Sequence, residues 1–139
     1  MNYLGSIELK SYKKKAFLCS QKFVAGAVLK SYDWAIEQRE KGVCVVCGCH
    51  SPLEKDVFKY LLKGTQPIIL VLARGLKKRI EPELLPHIDK GRLLIISPFE
   101  NSVTRVTKET ALKRNKYILD LADEIVIGYA SPNGSLKTI

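Results

Sequence analysis

Cysteine and histidine concentrate in one short stretch, Cys44, Cys47, Cys49 and His50, with Cys19 further upstream. Thiolates and imidazoles are the ligands zinc prefers, and a structural zinc site needs a tetrahedral set of them. The spacing speaks against such a site. Val43–Gly48 is β-branched and Cys-rich and reads as a buried strand. Residues three apart in a strand lie roughly 10 Å from one another and point to opposite faces, so Cys44 and Cys47 cannot share a metal. Gly48 rather than His follows Cys47, which excludes a haem attachment motif, and no helix follows as it would after a thioredoxin-type pair. Cys19, Cys47, Cys49 and His50 remain as a zinc set only if the first two core strands are neighbours. Small buried thiols in a reducing compartment are the expected state, with no metal and no cofactor.

Anion chemistry has better support. Ser20, Gln21 and Lys22 lie between an apolar run and a helical one, where Ser20 can cap the helix. Free backbone N–H groups at such a junction attract phosphate, and Lys22 adds a point charge. The chain has neither Gly-x-Gly-x-x-Gly nor Gly-x-x-x-x-Gly-Lys-Ser/Thr, so a dinucleotide fingerprint and a P-loop are both excluded. A second group lies on the helix expected over Val106–Ala122. Ala111, Asn115, Ile118 and Ala122 fall on one stripe of it, which turns Asn115 inward. An unpaired buried amide costs on the order of 1–3 kcal/mol, so Asn115 must bond to a loop backbone or a ligand. Arg114 lies at the margin of that stripe, within reach of the same place.

The surrounding charge is positive. The 139 residues hold 23 Lys+Arg against 14 Asp+Glu, a formal net charge of +9. Residues 101–119, with Arg105, Lys108, Lys113, Arg114 and Lys116, contain a single acid, and residues 63–80, with Lys63, Arg74, Lys77, Lys78 and Arg79, contain none. Two such blocks suit a phosphate-tracking surface. Nucleophilic or general acid–base chemistry is not supported. His50 and His87 lie in separate segments without an acid partner in sequence, and His87 reads as solvated.

The elements that must position these residues alternate regularly. Apolar runs at Ala16–Ser20, Val43–Gly48, Pro67–Ala73, Leu93–Ile96 and Glu124–Tyr129 read as strands. Helical segments follow the first four, at Val24–Lys41, Pro52–Lys63, Pro82–Lys90 and Val106–Ala122, the second opened by the capping signature Ser51-Pro52-Leu53-Glu54. Continuously apolar strands imply burial on both faces. The expected fold is therefore a three-layer α/β, Rossmann-like domain over 1–139, with a mostly parallel sheet of about five strands and an extra edge strand within Gly5–Tyr12. Trp34, on the first helix, is expected to pack in the core. Ligands of such sheets bind at the carboxyl ends of the strands. That edge gathers Cys19–Phe23, Gly48–Ser51, Ala73–Arg79, Ser97–Arg105 and Tyr129–Ser135, which adds Gly48, His50, Ser97 and Arg105 to the candidates. Phe23, Phe99 and Tyr129 lie near it and can stack a base. The longest apolar run, Ile68–Ala73, is too short to span a bilayer and the N-terminus lacks signal-peptide order, so no membrane and a cytoplasmic location are expected.

The order Cys19-Ser20-Gln21-Lys22, Cys47-Gly48-Cys49-His50-Ser51, Ser97-Pro98-Phe99, Arg114-Asn115-Lys116 and Gly134-Ser135-Leu136 resembles the Rossmann-like core of the DNA-processing protein A (DprA/Smf) family. That family shares a superfamily with the LOG phosphoribohydrolases. The resemblance implies an anion pocket in which Ser20, Lys22, Arg114, Asn115, Gly134 and Ser135 take part. Gln21 and Cys19 stand where the family has Arg and Gly. It also implies single-stranded DNA as ligand, self-association as a homodimer, and a recombinase partner. The function expected is non-catalytic binding of single-stranded DNA phosphates, with a free nucleotide-derived ligand as the alternative. Hydrolysis of the LOG type ranks below both, because the Pro-Gly-Gly-x-Gly-Thr motif of those enzymes is missing from the sequence.

Overall fold

Each of the central strands is buried on both faces, which only helices on either side of a sheet can achieve. The computed structural model describes residues 1–132. In chain order it contains β1 (Asn2–Gly5), a 3-10 turn (Ile7–Ser11), β2 (Lys14–Leu18), α1 (Ala25–Lys41), β3 (Cys44–Cys47), α2 (Pro52–Leu62), β4 (Ile68–Val71), α3 (Leu85–Asp89), β5 (Leu93–Ser97), α4 (Lys108–Leu121) and β6 (Glu124–Ile127). The strands form one sheet in the order β1-β5-β4-β3-β2-β6. All neighbours are parallel except β1, which runs antiparallel to β5 with Asn2 opposite Ser97 and Gly5 opposite Leu94.

The parallel α/β architecture and its five expected strands are present, and the edge strand makes a sixth. That edge strand lies at Asn2–Gly5, not through Gly5–Tyr12. Gly5 ends it with φ +112, a conformation that L side chains rarely adopt, and a Cβ there would run into the Leu93 carbonyl. The chain then turns through Ile7–Ser11, which places Leu9 against the sheet.

Alternate residues of each strand feed two cores. One face carries Phe17, Val45, Cys47, Leu70 and Ile95 under α1, α2 and Leu84. The other carries Ala16, Leu18, Cys44, Val46 and Ile69 under Ile118 of α4 and Leu9. Cys44 and Cys47 thus enter opposite cores, as strand alternation requires. Trp34 stacks on Phe17 with ring centroids 5.3 Å apart, and Tyr32 OH donates to Asp56 Oδ2 at 2.7 Å to join α1 with α2.

Helix boundaries follow local chemistry. Ser51 and Glu54 form the reciprocal capping box on α2. Thr107 and Thr110 form one on α4. Gly42, at φ 74, ends α1. Ser20 does not cap α1: the helix begins at Ala25, with Val24 as an N-cap that makes no side-chain bond. His87 is half-buried rather than solvated, its Nδ1 accepting from Arg92 Nη1 at 2.7 Å. Arg92 also donates to the carbonyls of Leu61 and Leu62 at the end of α2, where helix carbonyls lack internal partners, and to that of Gln66 in the loop beyond. The chain runs from β2 through α1 to β3 on one side and returns through α4 to β6 on the other. The winding therefore reverses between β2 and β6.

Candidate functional site

Glu54 organises the loops at the carboxyl ends of β2 and β3. Its side chain is 2% exposed; Oε2 accepts from the Cys19 N–H at 2.8 Å, and Oε1 from the N–H groups of His50 at 2.8 Å and Ser51 at 3.2 Å. A buried carboxylate tolerates its charge only with such donors. The amides that could have cradled a phosphate at this helix N-terminus are thereby taken by the chain's own carboxylate. Gln21 reinforces the junction, donating through Nε2 to the His50 carbonyl at 3.1 Å. Ser20 faces the other way: its Oγ accepts from the Ser131 N–H at 2.8 Å, and its own N–H donates to the Tyr129 carbonyl at 2.9 Å. It ties β2 to the segment after β6.

From the opposite layer, Arg114 enters this junction. It is 1% exposed, fully buried rather than marginal. Gly48 is the reason: a Cβ there would lie 2.7 Å from the guanidinium carbon and from Nη1 of Arg114. The guanidinium occupies the space that a side chain would fill, and Nη1 donates to the Gly48 carbonyl at 2.8 Å. Arg114 Nε donates to Asn115 Oδ1 at 2.7 Å, so Asn115, itself 6% exposed, satisfies its inward amide by aiming its neighbour. Among the described residues, Arg114 Nη2 is buried and has no hydrogen-bond partner. Burial pushes the guanidinium below the usual arginine range, and the charge of Glu54 acts against that shift. Burial and Arg114 together lower His50 against the opposing charge of Glu54, and the lowering favours its neutral form.

Arg114 lines a cavity of about 540 Å³ between α2 and the β4–α3 connection up to Leu84 at the start of α3. Gly48, Cys49 and His50 line it as well. Lys55, Lys59, Arg74 and Lys77 stand around it with Glu81 and Glu83, over an apolar floor of Phe58, Leu70, Leu84 and Ile95. Lys77 is paired with Glu81 at 3.1 Å.

The candidates divide accordingly. Gly48, His50 and Arg114 come together at the cavity, while Ser20, Gln21, Lys22, Ser97, Arg105 and Asn115 do not line it. Lys22 and Arg105 are exposed. Ser97 is fully buried, its hydroxyl donating to the Arg74 carbonyl at 2.7 Å. Gly134 and Ser135 lie outside the described residues. Phe23 and Tyr129 pack against the core while staying half-buried, as Phe99 also is. No three Cys, His, Asp or Glu side chains among the described residues converge as metal ligands. Burial raises the thiols of Cys19 to about 11 and Cys44 to about 12, and pushes those of Cys47 and Cys49 well above the usual cysteine range.

Solved structures share this architecture. DNA processing protein A from Helicobacter pylori, described for its unique single-stranded DNA binding mode, superposes with a TM-score of 0.70 at 19% identity, over 90% of this chain and 58% of that one. DNA processing protein A (DprA) from Streptococcus pneumoniae gives 0.74 at 20% identity, over 94% of this chain and 46% of that one. The fold is DprA-like. The chain spans about half the length of these two relatives. No protein-family model matches its sequence, and neither does any curated protein.

Two parts of the site in this DprA-like fold were missed from sequence. Glu54 reads as an N-terminal cap, which it is, but its bond to Cys19 crosses to another loop and has no local signal. The cavity wall from Arg74 to Glu83 falls partly in the acid-free basic block 63–80, whose charge was visible but whose apolar floor is completed by Phe58 of α2, by Leu84 and by Ile95 of β5. No helix among the described residues is long and apolar enough to cross a membrane.

Proposed function

We propose that this protein is a non-catalytic, DprA-like binding protein that holds phosphate groups of single-stranded DNA at the carboxyl ends of the strands, with residues 1–139 working as one domain. One observation carries the reading. Arg114 is buried in the lining of a cavity with Nη2 unpartnered among the described residues, while the carboxylate whose charge reaches it, Glu54, is engaged by three backbone amides. A buried charge without a bonded counter-ion is costly, and a phosphate supplies both the charge and the acceptors that a guanidinium fork fits. Asn115 positions the fork. Exposed Lys22 and Arg105 extend the contact along the backbone, Ser20 and Gln21 brace the loops after β2, and Gly134 and Ser135 belong to this reading through the family resemblance.

The likeness to a relative described for single-stranded DNA binding favours the polymer over a free nucleotide. Self-association, a recombinase partner and a cytoplasmic setting belong to this reading through the family resemblance. The test is fluorescence anisotropy of a labelled oligothymidylate against wild-type protein and Arg114→Lys at two salt concentrations. Lys keeps the charge and loses the planar fork, so affinity falls by about tenfold or more, from the loss of a charged hydrogen bond of about 1.5–3 kcal/mol. A folded Arg114→Lys that binds as the wild type does, or a wild type that does not bind at low salt, overturns the reading.

A further inference from the structure

The cavity extends well beyond Arg114, and that extension has a chemistry of its own. Its floor away from the arginine is built from Phe58, Leu72, Ile80 and Leu84. Phe58 is the only Phe, Tyr or Trp lining it among the described residues, and it is buried, so this part lacks the paired exposed aromatic faces on which bases stack. Its rim residues Lys55, Lys59, Lys77 and Glu83 are exposed around a volume of about 540 Å³, which suits protruding side chains better than an engulfed small molecule. Four cationic side chains border this part, Lys55 and Lys59 one turn apart on α2 and Arg74 and Lys77 across from them. Glu81 is paired with Lys77, which leaves Glu83 as the only other acid lining the cavity, so the rim is net positive. An apolar trough between cationic banks complements a segment that carries bulky aliphatic or aromatic side chains flanked by carboxylates. Recognition of that kind places a few anchors in the trough and uses charge to set orientation.

We propose that this cleft docks an acidic, amphipathic peptide segment of a partner protein, next to the phosphate-binding arginine and independent of it. Lys55 and Lys59 meet the carboxylates on one bank and Arg74 on the other, while Leu72, Ile80 and Leu84 receive the anchors.

A phage-displayed random peptide library panned against the immobilised full chain tests this. Enriched sequences should combine Leu, Ile, Phe or Trp with Asp and Glu. Their affinity, measured by anisotropy, should drop by about tenfold or more in Lys55→Glu/Lys59→Glu and in Ile80→Gln. The first variant alters only exposed positions of α2, so it leaves the fold intact should Ile80→Gln fail to fold. Ile80→Gln removes floor without changing charge and should leave oligothymidylate binding unchanged. No enrichment, enrichment without acidic residues, or selected peptides that bind both variants as tightly as wild type would each overturn the proposal. Equal loss of oligothymidylate binding in Ile80→Gln would assign the trough to a nucleobase instead and overturn it as well.

Discussion

Replacing Gly48 by Ala tests whether the empty space at that residue is what holds Arg114. The added methyl would sit 2.7 Å from the guanidinium carbon and Nη1, well inside van der Waals contact, so the arginine head must move. Its displacement breaks the 2.8 Å bond to the Gly48 carbonyl and disturbs the 2.7 Å bond to Asn115. The head is the far end of a flexible side chain, so strain is small and the cost comes from lost bonds and overpacking, about 1–3 kcal/mol. Urea denaturation at constant m-value should report that loss. Oligothymidylate affinity should fall by about tenfold or more, since the fork is no longer held in place. A double-mutant cycle sharpens the test. In an Arg114→Met background, where no guanidinium carbon or Nη1 remains, Gly48→Ala should cost much less, leaving a coupling energy of about 1 kcal/mol or more. Additive effects, or a Gly48→Ala protein with wild-type stability and affinity, would refute the reasoning.

Other outcomes follow from the same geometry. Glu54→Gln retains one carbonyl oxygen where the carboxylate served three N–H donors, so stability should drop by roughly 2–4 kcal/mol in denaturant titrations; an unchanged midpoint would show that the two loops are not held this way. His50 and His87 both have folded-state values lowered by burial and by nearby cations, Arg114 and Lys55 for His50 and Arg92 and Lys90 for His87, with Glu54 opposing at His50. A lowered histidine favours the folded state fully above its unfolded value of about 6.5, and that contribution is lost as the pH falls below it. Denaturation midpoints should therefore fall between pH 7 and 5, and the slope should flatten in His50→Gln/His87→Gln. The raised thiols of Cys19, Cys44, Cys47 and Cys49 should react slowly with a disulfide reagent at pH 7 until the protein is unfolded; rapid native labelling would show that burial does not suppress the thiolate.

Much of the sheet was legible in the sequence because burial on both faces writes continuous apolar runs such as Ile68–Val71 and Leu93–Ile96. The Ser51–Glu54 box was equally plain, since its bonds are local. The edge strand was misplaced because β1 has just four residues and its limit is set by one positive-φ glycine. Helical spacing turned Asn115 inward correctly. It could not show that Arg114 is the more buried of the two, because that depends on Gly48, a glycine in another layer. Ser20 has the type of an N-cap, yet its hydroxyl is claimed by the Ser131 amide, a contact between the two strands at which the winding reverses. The charge blocks were visible as composition, whereas the apolar cleft between Lys55, Lys59 and Arg74 exists only once α2 and the β4–α3 connection are packed together.

The most direct measurement of the central claim is the side-chain NMR signal of the Arg114 guanidinium during titration with oligothymidylate. Phosphate bonding predicts a saturable shift of that resonance at the concentrations that saturate anisotropy, weakened by added salt. Saturated DNA binding with the Arg114 resonance unmoved would contradict it.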